Sequence, residues 1–177
     1  MKKVFYAFIL CLLFVGCGKM NNTPTKKVEA FFNNYQTLDK SVLASLDSVI
    51  SDDYSLDQKS KYRDIVKKNY QKLTYKVKDE VIDGDKAIVT VTIDVIDYSK
   101  INNEIDLYLA NNPNEFLLDN GEYDKEKANE YRLSKLKEAK EMVTYTLELE
   151  LHKDGKDWIL NDLDETELSK INGTYKY

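Results

Sequence analysis

The chain has 177 residues, with 26 basic against 31 acidic side chains, a formal charge of −5, two cysteines and a single histidine. That balance argues against a nucleic-acid partner and against a polybasic grip on anionic lipid. With Cys11, Cys17 and His152 as the whole stock of soft ligands, the sequence offers no disulfide framework, no thiolate metal site and no well-placed histidine nucleophile or base; no metal and no cofactor is expected.

In chain order, Lys2 and Lys3 precede an unbroken apolar run, Val4 to Val15, and Gly16 supplies a small residue before Cys17. This is the layout of a secretory signal. The run is well short of the ~20 apolar residues that span a bilayer as a helix. The stretch "FVGC" resembles the lipobox of bacterial lipoproteins, with Phe14 where leucine is usual in that family. The resemblance implies cleavage after Gly16 and a diacylglyceryl group, with palmitate-type acyl chains, on Cys17. Residues 1–16 would then be a signal peptide, 17–23 a lipidated cysteine and short tether, and 24–177 one domain on the outer face of the cell membrane. Two acyl chains are enough for stable anchoring. The six residues between Cys17 and Pro24 reach roughly 20 Å when extended. Loss of the first sixteen residues removes two lysines and no acid, so the remainder is more acidic still. Abundant Asn, Lys, Ile and Tyr fit an AT-rich genome, as in many Gram-positive bacteria.

Helical periodicity follows. Thr23 can cap a helix with Pro24 at its first position, and Val28, Phe31, Phe32 and Tyr35 share one face. A short helix after Asp39 turns Leu43 and Leu46 inward. A third opens on the capping-box spacing from Ser55 to Gln58, with Leu56, Tyr62, Ile65, Val66 and Tyr70 inward.

The period then changes to two. Leu73, Tyr75 and Val77 alternate with polar residues, as do Ala87, Val89, Val91, Ile93 and Val95 after "DGD". Both strands place odd positions on the apolar face, and Asp79 and Asp97 fall on that face at the strand ends. Opposed residues share a face, so this parity calls for a three-residue loop, Asp83-Gly84-Asp85. In a second hairpin Tyr145, Leu147, Leu149 and Leu151 oppose Trp158 and Leu160, and the opposite parity calls for a two-residue turn at Asp154-Gly155. His152 falls on the polar face, as an exposed histidine.

Between the hairpins lies a polar helical insert, 99–141. One helix carries Ile101, Ile105, Tyr108 and Leu109 and stops at Asn111 to Pro113. A second, from about Asp124 to Glu141, carries Ala128, Tyr131, Leu136 and Ala139. With stripes this narrow the insert is expected either to lie across the open end of the domain as a lid or docking arm, or to form a packed extra layer. A last helical turn runs from Glu165 to Ile171.

The expected fold class is α+β, with N-terminal helices packed on a curved antiparallel sheet and a helical insert between two hairpins. The stretches "VEAFFNNYQTLD", "KAIVTVTIDVID" and "GKDWILNDL" resemble the NTF2-like, or cystatin-like cone, superfamily, and most of all Gram-positive lipoproteins that carry such a domain. The resemblance implies a conical pocket, used by isomerases and dehydratases and by non-catalytic binding modules. Tyr35, Tyr62, Tyr70, Tyr75, Tyr145 and Trp158 fall on inward faces, as core or as the wall of a cavity for a flat or amphipathic ligand. An acid and a tyrosine do the proton transfer in the isomerase relatives, and Asp97 with Tyr75 could stand in for them; the alternative is that Asp79 and Asp97 are solvated at the rim. "DGD" and "DNGEYD" lack the spacing of a calcium loop and read as turns. The functional expectation is a membrane-anchored, non-catalytic binding module for a small ligand or an envelope protein, with an isomerase or hydratase and a structural envelope protein as alternatives.

Overall fold

The computed structural model describes residues 22–50 and 53–176. The expected signal segment, its cleavage point at Gly16 and the lipidated Cys17 lie outside the described residues.

Three helices come first: α1 (Pro24–Thr37), α2 (Lys40–Val49) and α3 (Leu56–Lys72). Each start is set locally. Thr23 accepts from the Lys26 N–H, Asp39 accepts from the Ser41 N–H, and Ser55 and Gln58 close a capping box. Val28 and Phe32 of α1 are buried. In α2 the inward pair is Val42 and Leu46, with Leu43 only half-buried. Leu56, expected inward, is 88% exposed, because the first turn of α3 offers Gln58 rather than Leu56 to the interior.

A four-stranded antiparallel meander follows, in the order β1-β2-β3-β4, with β1 Thr74–Asp83, β2 Lys86–Ile96, β3 Met142–Asp154 and β4 Asp157–Leu160. Ala87, Val89, Val91, Ile93 and Val95 of β2, and Tyr145, Leu147, Leu149 and Leu151 of β3, form the buried face against α1, together with Trp158. The opposite face carries Thr, Glu and Asp side chains. His152 is there too, exposed, with its ring Nδ1 2.6 Å from Asn161 Oδ1.

Both turns differ from expectation, the first by being one residue shorter and the second by lying one residue later. Each has two residues, Gly84-Asp85 and Gly155-Lys156, between the pairs Asp83↔Lys86 and Asp154↔Asp157. Glycine stands first with φ +59° and +60°, and the second residue is not at positive φ, which is the φ pattern of a type II′ turn. In the first hairpin the missing loop residue reappears as a β-bulge between Val77 and Asp79. Tyr75 and Val77 keep their odd-numbered partners Ile93 and Val91, whereas Asp79 now opposes Thr90 and is exposed on the outer side. The bulge turns Glu80 toward α1 instead. There the carboxylate accepts from the Thr25 N–H at 2.8 Å and hydroxyl at 2.7 Å, at a helix N-terminus that favours negative charge.

The insert consists of α4 (Tyr98–Asn111), a 3-10 turn (Pro113–Phe116), a small loop closed by a Leu117–Tyr123 bridge, and α5 (Lys125–Glu138). Ile105, Leu133, Leu136 and Ala139 bury together with Ile65, Ile96 and Tyr98. Leu133 joins the inner stripe in addition to the residues expected from periodicity, while Tyr131 is half-buried, stacked on Tyr108. The last helix, α6 (Glu165–Ile171), buries Ile171 in the sheet core. The whole is an α+β fold with helices packed on the apolar face of one sheet.

Candidate functional site

The insert joins the sheet through a knot of buried polar groups. The Asn69 side chain, fully buried on α3, accepts from the Ile96 N–H at 3.1 Å. Asp97 caps α4 by accepting from the Lys100 N–H at 2.9 Å, and its own N–H donates to the Glu141 carbonyl at the far end of the insert. The Ser99 N–H donates to the Gly173 carbonyl. Gly173 has φ +70°, and a Cβ there would meet the Ile96 carbonyl oxygen at 2.0 Å, so only glycine fits. These bonds hold the start of α4, the end of β2 and the C-terminal segment at one place.

Beside that knot lies a cavity of about 260 Å³ between α2, α3, α4, α5 and the C-terminal segment. Four rings line it: Tyr54, Tyr62, Tyr70 and Tyr98. Leu46, Ile65, Val66 and Leu136 supply apolar wall, and Asn102, Arg132, Asn172 and Thr174 supply polar atoms. The Tyr70 hydroxyl donates to Asn172 Oδ1 at 2.8 Å and the Tyr98 hydroxyl to the Ile65 carbonyl at 3.3 Å. Tyr54 and Tyr62 lean on one another, centroids 5.7 Å apart, and their hydroxyls make no hydrogen bond among the described residues.

The only two arginines in a chain rich in lysine staple this site. Arg132 of α5 donates to Asn102 Oδ1 at 3.2 Å and to Asp106 Oδ1 at 2.6 Å, both on α4. Arg63 of α3 pairs with Asp47 of α2 at 3.1 Å. A rigid planar fork suits the two-point contact of Arg132 better than a lysine does.

Burial pushes the phenols of Tyr70 and Tyr98 well above the usual tyrosine range. Burial also raises Tyr62, and raises Tyr54 against the opposing pull of the nearby Arg132. All four are protonated at neutral pH; Tyr70 and Tyr98 already donate hydrogen bonds, and Tyr54 and Tyr62 keep hydroxyls able to donate to a ligand. No carboxylate or imidazole lines the cavity. The arrangement can hold a flat amphipathic molecule by ring contact and hydrogen bonding.

Of the aromatic residues singled out from sequence, Tyr62 and Tyr70 line this cavity. The others are packed over the sheet. Tyr35 is edge-on to Tyr70, Tyr75 is stacked on Phe32 at 4.9 Å, and Tyr145 is edge-on to Tyr175. Trp158 is buried beneath the Lys153 ammonium at 5.0 Å. Asp97 and Tyr75 are not brought together as a proton-transfer pair: Asp97 is 5% exposed as the α4 cap, while Tyr75 lies against α1 with its hydroxyl toward Asn33. Neither residue lines the cavity. Sequence reasoning missed Tyr54, Tyr98 and Arg132. The rarity of arginine in this chain was a usable signal for the last.

Among the described residues no helix is long and apolar enough to cross a membrane, and no three His, Cys, Asp or Glu side chains gather as a metal site. No family model and no curated protein matches the chain. A solved structure from Bacillus subtilis subsp. subtilis str. 168, described as a "putative lipoprotein (ycdA)", is similar at 18% identity with a TM-score of 0.45, over 84% of this chain and 47% of that one. This chain thus spans about half the length of that neighbour, and a likeness at this level carries no argument about either fold family or function.

Proposed function

We propose that the chain is a bacterial lipoprotein, anchored through Cys17 at the outer face of the membrane, whose domain is a non-catalytic binding module of the NTF2-like kind. Its ligand is a small, flat, amphipathic molecule held in the tyrosine-lined cavity. The observation that carries this reading is the lining itself: four rings and four aliphatic side chains with no acid or histidine among them. Phenols are protonated at neutral pH and burial only reinforces this, so they can donate hydrogen bonds and do not act as bases there. At about 260 Å³ the cavity lies just below the ~300–1,000 Å³ typical of small-molecule sites, which restricts it to a small ligand.

The test is a titration with the neutral fluorophore N-phenyl-1-naphthylamine. The expected result is a saturable, equimolar rise in fluorescence that is lost in Thr174→Trp, an exposed position at the cavity wall. A signal that never saturates, or one unchanged by Thr174→Trp, contradicts the reading. The anchor is tested separately by metabolic labelling with an alkyne fatty acid, which Cys17→Ser is expected to abolish. A protein partner is the second reading. It draws on the exposed apolar pair Leu117 and Tyr123, bridged at the tip of the insert and 39% and 55% exposed.

A further inference from the structure

On the far side of the wall formed by Ile65, Tyr98 and Leu136 lies a second, larger depression of about 700 Å³ between α3 and α5. Its floor is apolar: Ile65, Ile96, Tyr98, Leu133, Leu136 and Ala139 all line it, and all are buried core residues. Its rim is basic. Three carboxylates line the groove, and each is taken up by a lysine: Glu130 by Lys61 at 2.9 Å, Asp64 by Lys67 at 3.8 Å and Glu138 by Lys135 at 3.9 Å. Three exposed rim lysines, Lys68, Lys137 and Lys140, have no ion pair among the described residues. In a chain of net charge −5, an apolar floor under three unpaired ammonium groups is a local reversal of the overall field.

We infer that this groove is a second binding site, for a free single-chain amphiphile with an anionic head. The acyl tail lies along the Ile65–Leu133–Ala139 floor and the carboxylate or phosphate head meets the rim lysines through charge-assisted hydrogen bonds. The volume is within the range of small-molecule sites. The fold also favours a free molecule over a bilayer headgroup. The described chain begins at Asn22, whose side chain hydrogen-bonds the backbone of Lys156 and Trp158 at the turn end of the sheet. The groove is at Ile96, the other end of β2, which is eleven residues long. At ~3.3 Å per residue the two ends of that strand are roughly 33 Å apart. A tether from Cys17 to Asn22 of at most ~18 Å keeps the turn end near the membrane and the groove away from it. Only this last step rests on the proposed anchor; the groove itself is independent of the aromatic cavity.

The experiment uses the full chain carrying Cys17→Ser, with dodecanoate below its micellar concentration as probe and methyl NMR as the readout. Shifts are expected at Ile65, Ile96 and Leu133 and not at Val89 or Val91. Affinity is expected to fall about tenfold or more in Lys68→Gln/Lys137→Gln/Lys140→Gln, whose three positions are exposed and whose unchanged urea midpoint is expected to show an intact fold. Dodecyltrimethylammonium is expected not to bind, and Thr174→Trp is expected to leave dodecanoate binding unchanged, so failure here and failure of the cavity reading are separable. Equal affinity in the triple variant, equal binding of the cationic amphiphile, or shifts confined to the sheet overturn the proposal. Cosedimentation with phosphatidylglycerol vesicles that the triple variant abolishes assigns the lysines to a bilayer and also overturns it.

Discussion

The two halves of this domain are built to different specifications. Over the sheet, α1, α6 and the inner faces of β2 and β3 form one continuous apolar cluster, in which Val28, Phe32, Val89, Val91, Ile93 and Leu149 are all fully buried. Around the insert, the interior mixes small apolar clusters with buried Gln58, Asn69, Asp97 and Ser99, rings with polar tips, and two open spaces. Close packing leaves no room for a ligand, and interiors at crystal-like density transmit strain rather than yield. A polar knot and a set of half-satisfied phenols do leave room, at the cost of weaker burial. The sheet half is therefore the scaffold and the insert half is where binding is feasible.

The largest effect expected from breaking this division is in the scaffold. Val91→Asp places an unpaired carboxylate where the side chain is 0% exposed, at a cost of several kcal/mol against a total stability of about 5–15 kcal/mol. The variant is expected to unfold, seen as loss of a cooperative urea transition in circular dichroism. A folded, soluble variant shows that the scaffold is softer than its packing implies.

Next is the joint between the halves. Gly173→Ala combines positive φ with a clash against the Ile96 carbonyl, and costs at least about 1–3 kcal/mol of backbone strain. The urea midpoint is expected to drop, with the largest loss of amide protection near Ser99 and Asn69.

The smallest effect is on pH dependence, and it belongs to the helical half. Burial holds the phenols of Tyr54, Tyr62, Tyr70 and Tyr98 above their ordinary value of 10.0. Asp57 and Glu130 push the Lys61 ammonium up to about 12. For both kinds of group the folded pKa is above the unfolded one. Their stabilising contribution is thus complete below the unfolded values and fades as pH climbs above about 10, where the unfolded chain alone loses its protons. The urea midpoint is expected to fall with pH from there, and phenolate absorbance from the buried rings to appear only together with unfolding. Free ionisation of these tyrosines in the folded chain contradicts their burial.

The division also explains what the sequence made legible. Alternation names the buried face of β2 and β3 because each strand has one wet side, so a one-residue slip would expose every valine. The bulge at the middle of β1 is silent, since Lys78, Asp79 and Glu80 are polar whichever way they point. That silent bulge made the first turn read as three residues instead of two, and the second turn was placed one residue early because glycine serves there as first residue in a type II′ turn, not as second in a type I′ turn. Helical periodicity found Tyr62 and Tyr70, which sit mid-helix on α3. Tyr54 precedes that helix and Tyr98 begins α4, so their inward aim depends on how the helices cross, and no local pattern encodes that. The aromatic residues of the strands were correctly read as inward, yet inward there means close-packed core rather than cavity wall.

The central claim, a closed scaffold carrying an open binding half, is met most directly by hydrogen exchange with and without N-phenyl-1-naphthylamine. Without probe, 89–95 is expected to be protected to the level of global unfolding, and 124–141 to exchange faster through local opening. With saturating probe, protection is expected to rise in α3 around Tyr62–Tyr70 and in α5 around Arg132–Leu136, while β2 and β3 stay unchanged. Equal protection of the insert and the sheet without probe, together with no change on adding it, would mean that the insert is a rigid layer with no binding role, and the account would be wrong.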